Sequence, residues 1–213
     1  MTRMLAAFVT SCLLSQSVSA DNWAQWRGPA LNGVAVGTGF PTKWSQTENV
    51  QWKVPMPGRG ASTPIVWEER IFLTCGIDGK NTVLCYDRSG KELWRTAAGE
   101  ERAGKHKKGS GSNPSTSTDG KHIFAYFKSG DLACLDFDGK VVWHHQLSYD
   151  PESLWWDLGS SPVLTKDYVV VAVMVTGPSY VVAFDKATGK QAWKTDRNVP
   201  APVEAAQSYS TPA

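Results

Sequence analysis

One phrase recurs three times along the chain. A β-rich run ends in aspartate, a short turn reaches Gly-Lys, and a tryptophan follows four residues after the glycine. The copies are Val83-Leu84-Cys85-Tyr86-Asp87 with Gly90-Lys91-Glu92-Leu93-Trp94, Leu132-Ala133-Cys134-Leu135-Asp136 with Gly139-Lys140-Val141-Val142-Trp143, and Val182-Ala183-Phe184-Asp185 with Gly189-Lys190-Gln191-Ala192-Trp193. The aspartates stand 49 and 49 residues apart, and the tryptophans Trp52, Trp94, Trp143 and Trp193 stand 42, 49 and 50 apart. A second landmark keeps the same step. Ser62-Thr63-Pro64, Asn113-Pro114, Ser161-Pro162 and Ser210-Thr211-Pro212 place their prolines 50, 48 and 50 residues apart. Two independent landmarks on one period require a single structural unit used repeatedly.

Each unit reads as four short strands. In the first they fall near Ser62–Trp67, Arg70–Cys75, Asn81–Tyr86 and Glu92–Arg95, separated by Asp78-Gly79 and Ser89-Gly90, dipeptides that accept the backbone of tight turns. Lys121–Phe127 and Asp131–Leu135 flank Ser129-Gly130 in the second, and Tyr168–Val175 and Tyr180–Phe184 are β-branched runs in the third. After the first twenty residues no stretch keeps a helical period. The fold class is therefore all-β and antiparallel. A step near 50 residues, with 10 tryptophans and 19 glycines in 213 residues, fits four-stranded blades arranged radially. The expectation is a partial β-propeller of four-stranded antiparallel blades, with about three complete blades. Within the phrase, the aspartate carboxylate is suited to accept turn N–H groups. The tryptophan is suited to cover the gap between neighbouring sheets, because one blade alone leaves two faces bare. Asp87, Gly90, Trp94, Asp136, Gly139, Trp143, Asp185, Gly189 and Trp193 are thus read as a repeated structural set.

Residues 1–20 read as a secretory leader: Arg3, an apolar run from Met4 to Leu14, and Val18-Ser19-Ala20 before Asp21. Val9-Thr10-Ser11-Cys12 offers a second processing site that would leave a lipid on Cys12, the one route here to membrane association. Residues 21–61 form an N-terminal segment, in which Val50-Gln51-Trp52-Lys53 resembles the last strand of a blade lacking its first three. Residues 62–213 hold the blades, at 62–95, 113–145 and 160–194, with the start of another at 208–213. The full chain carries a net charge of +2. So near-neutral a chain has no long-range field to draw in nucleic acid. Cys75, Cys85 and Cys134 have no metal-ligand spacing. They are read as buried small hydrophobes, with a Cys75–Cys85 disulfide left open.

The Ala183, Asp185, Gly189, Lys190, Trp193 pattern, repeated at Cys85–Trp94 and Cys134–Trp143, resembles the tryptophan-docking repeat of the PQQ-like, quinoprotein-type propeller family. The opening Trp23-Ala24-Gln25-Trp26-Arg27-Gly28-Pro29 resembles the start of exported PQQ-like repeat proteins. That resemblance implies a seven- or eight-bladed ring, so this chain reads as a fragment or as a short protein that must cap its ends. It also implies two functional classes. One is a non-catalytic binding or assembly module of the exported compartment, periplasmic or extracellular, akin to a scaffold that helps insert outer-membrane barrels. The other is a quinoprotein alcohol or sugar dehydrogenase, which would use pyrroloquinoline quinone (PQQ) and calcium.

In this topology three stretches share one rim: Gly58-Arg59-Gly60, residues 99–112 with Arg102, Lys105, His106, Lys107 and Lys108, and residues 151–159 with Trp155, Trp156 and Asp157. Cations beside aromatics suit an anionic or planar partner, protein or small molecule. Lys105–Lys108 equally fit a solvated loop, and the two tryptophans fit packing. Asp157 could in principle serve as a general base near a central ligand, but nothing nearby in the sequence fixes its pKa or orientation. His144 and His145 are expected to face solvent or a neighbouring blade. No catalytic set and no metal site is assigned.

Overall fold

The strands follow from the turns. The computed structural model describes residues 22–153, 156–198, 200–202 and 204–212, so the leader, Cys12 and Trp155 lie outside the described residues. Asp78 and Gly79 both take positive φ, 49° and 74°. They form the two-residue loop that matches the twist of the flanking strands. That loop joins β2 (Arg70–Ile77) to β3 (Lys80–Asp87), paired from Arg70↔Asp87 to Ile77↔Lys80. With β1 (Ile65–Trp67) and β4 (Glu92–Glu100) they make a four-stranded antiparallel sheet in the order β1-β2-β3-β4. β5 (Ser117–Thr118), β6 (His122–Tyr126), β7 (Asp131–Asp136) and β8 (Val141–Gln146) repeat it. So do β9 (Val163–Leu164), β10 (Tyr168–Val173), β11 (Tyr180–Asp185) and β12 (Gln191–Asp196). Three blades are present among the described residues. The fourth strand of the first blade runs five residues beyond the expected Arg95, because β3 supplies partners as far as Lys80↔Glu100. Among the described residues no helix is long and apolar enough to cross a membrane.

Alternation along each strand sends successive side chains into different seams. Ile123 and Ala125 of β6 pack with Ile65, Phe72, Val83 and Cys85 of the first blade. Phe124 and Tyr126, one residue out of phase, pack with Val169, Val171, Val182 and Phe184 of the third. The middle strands of the second blade are consequently buried on both faces, whereas all six residues of β12 are exposed. The proline landmark marks a ladder between the innermost segments. Thr63 N–H donates to Ser115 Oγ (2.9 Å), Ser115 N–H to Ser161 Oγ (3.0 Å), and Ser161 N–H to Thr211 Oγ1 (3.0 Å). Each blade thus hands one backbone donor to the next.

The three cysteines among the described residues are free and buried, and each belongs to a different packing cluster: Cys85 between the first two blades, Cys134 between the last two, and Cys75 on the outer side of the first. Facing apart across a sheet, Cys75 and Cys85 do not form the disulfide left open by the sequence. Burial pushes the Cys75 thiol up to about 11 and those of Cys85 and Cys134 up to about 12. Thiolate is the reactive form. The folded protein should therefore resist iodoacetamide at pH 8 and label at all three positions once denatured. Fast native labelling of any of them would contradict this packing.

Candidate functional site

The repeated phrase builds a joint between blades. Asp87 Oδ1 accepts the N–H groups of Ser89 (2.8 Å) and Lys91 (3.0 Å), and Asp136 Oδ1 accepts those of Asp138 and Lys140, both at 2.9 Å. Asp185 Oδ1 accepts those of Ala187 (3.1 Å) and Thr188 (2.8 Å). The Ser89 and Thr188 hydroxyls, which donate to the same oxygens, hold the Asp87 and Asp185 carboxyls below the usual carboxylate range. Each turn presents one carbonyl and one bare glycine to the tryptophan of the preceding unit. Trp52 Nε1 donates to Arg88 O (2.6 Å), Trp94 Nε1 to Phe137 O (2.9 Å) and Trp143 Nε1 to Lys186 O (2.9 Å).

The glycines are needed twice over. Gly90, Gly139 and Gly189 take φ of 85°, 82° and 70°, and a Cβ on any of them would lie 2.7–2.8 Å from the docked indole. Trp52 makes this joint although residues 50–53 form no strand. The indole docks through its side chain alone, and no described sheet lies beside that segment to pair with it. Trp193 has no following turn among the described residues and is 41% exposed.

The three rim stretches do come together. Gly58 and Gly60 let the chain lie against β2, since a Cβ on them would fall 1.8 Å from Gly76 O and 2.2 Å from Thr74 O. Arg59, held between them by its carbonyl's bond from Gly76 N–H (2.8 Å), donates its guanidinium to Lys107 O. Lys105 Nζ reaches Glu152 O (2.5 Å) and the Glu152 carboxylate (3.4 Å). Beneath these lies a buried ion pair. Lys128, 1% exposed, places Nζ 2.9 Å from Asp157 Oδ1 and 2.8 Å from Ala103 O, while Asp157 also accepts the Lys105 N–H at 2.9 and 3.1 Å. The 101–112 loop is thereby tied down at its base, with Lys107 and Lys108 exposed above. A cleft of about 420 Å³ opens beside it, lined by Met56, Arg59, Ser62, Thr74, Lys108 and Ser110. Its only charged lining groups are cationic.

Asp157 is therefore a structural anchor and not the open general base considered from the sequence, because Lys128 and the loop backbone take its oxygens. His106 is exposed, its Nδ1 accepts the Lys108 N–H (3.1 Å), and its ring meets the exposed Trp156 edge-on at 6.0 Å. His145 faces the neighbouring blade, donating from Nε2 to Gly189 O (2.6 Å) and stacking on Phe184 at 4.4 Å. His144 turns back to Asp131 of its own blade at 2.7 Å. Asp131 also accepts from Asn81 Nδ2 of the first blade (3.0 Å), a joint that sequence reasoning missed along with Lys128. A partial signal existed, since Asn81 and Asp131 stand 50 residues apart, on the repeat. The quinoprotein resemblance implies calcium, a cation held by clustered oxygen donors. Among the described residues no three His, Cys, Asp or Glu side chains gather as a donor set.

Four-stranded antiparallel sheets, locked tryptophan-on-glycine around a hydroxyl-laddered hub, define a sector of a β-propeller of the PQQ-like repeat class. Residues 32–209 match the family described as Outer membrane protein assembly factor BamB, and the chain belongs to that family. No curated protein matches it in sequence. Among solved structures it is similar to a europium-containing methanol dehydrogenase (17% identity, TM-score 0.50), covering 67% of this chain and 26% of that one. It is similar also to the quinohemoprotein alcohol dehydrogenase from Comamonas testosteroni (19%, 0.50, 66% and 21%) and to BamB from Moraxella catarrhalis (18%, 0.47, 68% and 41%). The chain thus spans less than half the length of each. At such identities the likeness is one of fold.

Proposed function

We propose that this chain is the binding sector of an exported propeller that docks an anionic partner or ligand on its rim without catalysing a reaction. The carrying observation is the anchored 101–112 loop. A buried carboxylate and ammonium fix its base, and Arg59 and Lys108 flank a cleft with no opposing carboxylate in its lining. Preorganised cations lose little side-chain freedom on binding, which favours docking. Export, to the periplasm or beyond the cell, is supported by the leader-like first twenty residues and by membership of an outer-membrane assembly family. The dehydrogenase class rests on fold likeness alone and has no observation of its own.

The test uses a fluorescein-labelled hexaglutamate peptide as probe. Saturable, salt-sensitive binding is expected, weakened about tenfold by Arg59→Ala with Lys108→Ala, as loss of two charge-assisted contacts requires. Lys190→Ala, in the outer turn of the third blade, should leave it unchanged. Equal affinity for all three proteins, or no saturable binding, would sink the reading.

A further inference from the structure

The Trp23–Pro29 motif plays no part in the joints or the rim, yet its backbone lies in the hub. Alternate residues of an antiparallel strand point their N–H and C=O groups to opposite sides. Val66 of β1 therefore turns its pair away from β2, toward the ring axis. There Trp23 N–H donates to Val66 O (2.8 Å), and Val66 N–H donates back to Trp23 O (2.9 Å). One residue on, Ala24 O accepts the Thr118 N–H of β5 (2.8 Å), and Asn22 Oδ1 accepts the Glu68 N–H (2.6 Å). A single short segment thus fills hub-facing backbone groups of two successive blades. The motif locks itself in place. Gly28 N–H donates to Gln25 O (2.9 Å), and Gly28, at φ 76°, brings its backbone so close to the Trp23 ring that a Cβ would fall 2.7 Å from it. The partners also locate the segment along the axis. The chain runs from the rim at Arg59 down β1 to Glu68, and from the rim at Ser112 down β5 to Thr118, so Asn22–Ala24 lies at the end away from the rim.

We propose that Asn22–Gly28 is a built-in floor of this sector of the hub: a bridging segment that ties the first two blades together and leaves the rim as the way in for a ligand. The inference stands apart from the rim-docking proposal, because its test reads backbone protection and access, not ligand binding.

Hydrogen exchange is measured on the mature chain and on a variant lacking residues 22–31. The Val66 and Thr118 amides should exchange about tenfold faster in the truncated protein, since each loses its acceptor, while Phe72, Ile123 and Val171 keep their protection. Adding the synthetic 22–31 peptide should restore the slow rates. Gly28→Ala in the intact chain guards against misfolding of the truncation and should speed the same two amides. For closure, Thr118→Cys should react with a methanethiosulfonate reagent about tenfold faster when the segment is absent, as a locally opened site does. Unchanged exchange at Val66 and Thr118 in both variants overturns the staple. Equal labelling of Thr118→Cys with and without the segment overturns the floor.

Discussion

Lys128→Met is expected to destabilise the protein by about 3–5 kcal/mol, the range for stripping one partner from a buried ion pair. The ammonium is 1% exposed and has two acceptors, Asp157 Oδ1 and Ala103 O. Methionine fills most of its volume but leaves the Asp157 carboxylate in a dry site with the Lys105 N–H as its one donor among the described residues. The double replacement Lys128→Met with Asp157→Leu removes both charges and should recover much of the loss, because desolvation no longer opposes burial. Loop order should not recover with it, since the carboxylate itself holds the Lys105 N–H. Trypsin separates the two effects. Wild type should resist cleavage within residues 101–112, while both the single and the double variant should be cut at Arg102, Lys105, Lys107 or Lys108. A Lys128→Met protein within about 0.5 kcal/mol of wild type, the ordinary spread for surface changes, would show that the pair is not the loop's anchor.

That anchor was invisible in the sequence for a physical reason. Lys128 precedes Ser129-Gly130 and reads as a polar turn residue. Its partner is 29 residues away, off the step of the repeat, so no period exposes the pair. What repeats was legible, because every seam poses the same steric problem and the chain solves it with the same residues. The Asp–Gly turns, the docking tryptophans and the proline landmark all fall where the seams require them. The Val50–Lys53 pattern marks a docking indole, and docking does not need the flanking backbone to be in a sheet. The cysteines follow the same logic. Strand alternation sends Cys85 and Cys134 into successive seams and leaves Cys75 on the outer side, an arrangement that becomes readable only once the sheets are known to stack. The rim loops could be grouped by topology, but their exposed lysines gain meaning only from the buried pair below. Position on a ring can be read from a period. Electrostatic anchoring cannot.

Trp143→Ala should cost about 3–5 kcal/mol, as large-to-small changes at packed aromatics do, and should damage one seam in preference to the others. The indole lies between blades two and three, near Phe124 (5.9 Å) and Phe184 (6.2 Å), with Nε1 on Lys186 O. The Cys134 thiol approaches the same carbonyl at 3.9 Å. Opening the seam should therefore make Cys134 the first thiol to react with iodoacetamide, while Cys85, in the seam between blades one and two, stays protected. Trp193→Ala removes the same side chain from a site that is 41% exposed and has no docking turn among the described residues, so in this chain its cost should stay below about 1 kcal/mol. Gly189→Ala completes the cycle. Its methyl would meet the Trp143 ring at 2.7 Å and must also hold φ near 70°, a strain of about 1–2 kcal/mol by itself. In the Trp143→Ala background the clash is gone and only that backbone strain remains, so the double variant should be destabilised by less than the sum of the singles. Strict additivity, or equal costs for Trp143→Ala and Trp193→Ala, would mean that the blades are held together by their apolar faces alone and that the recurring indole is a passenger.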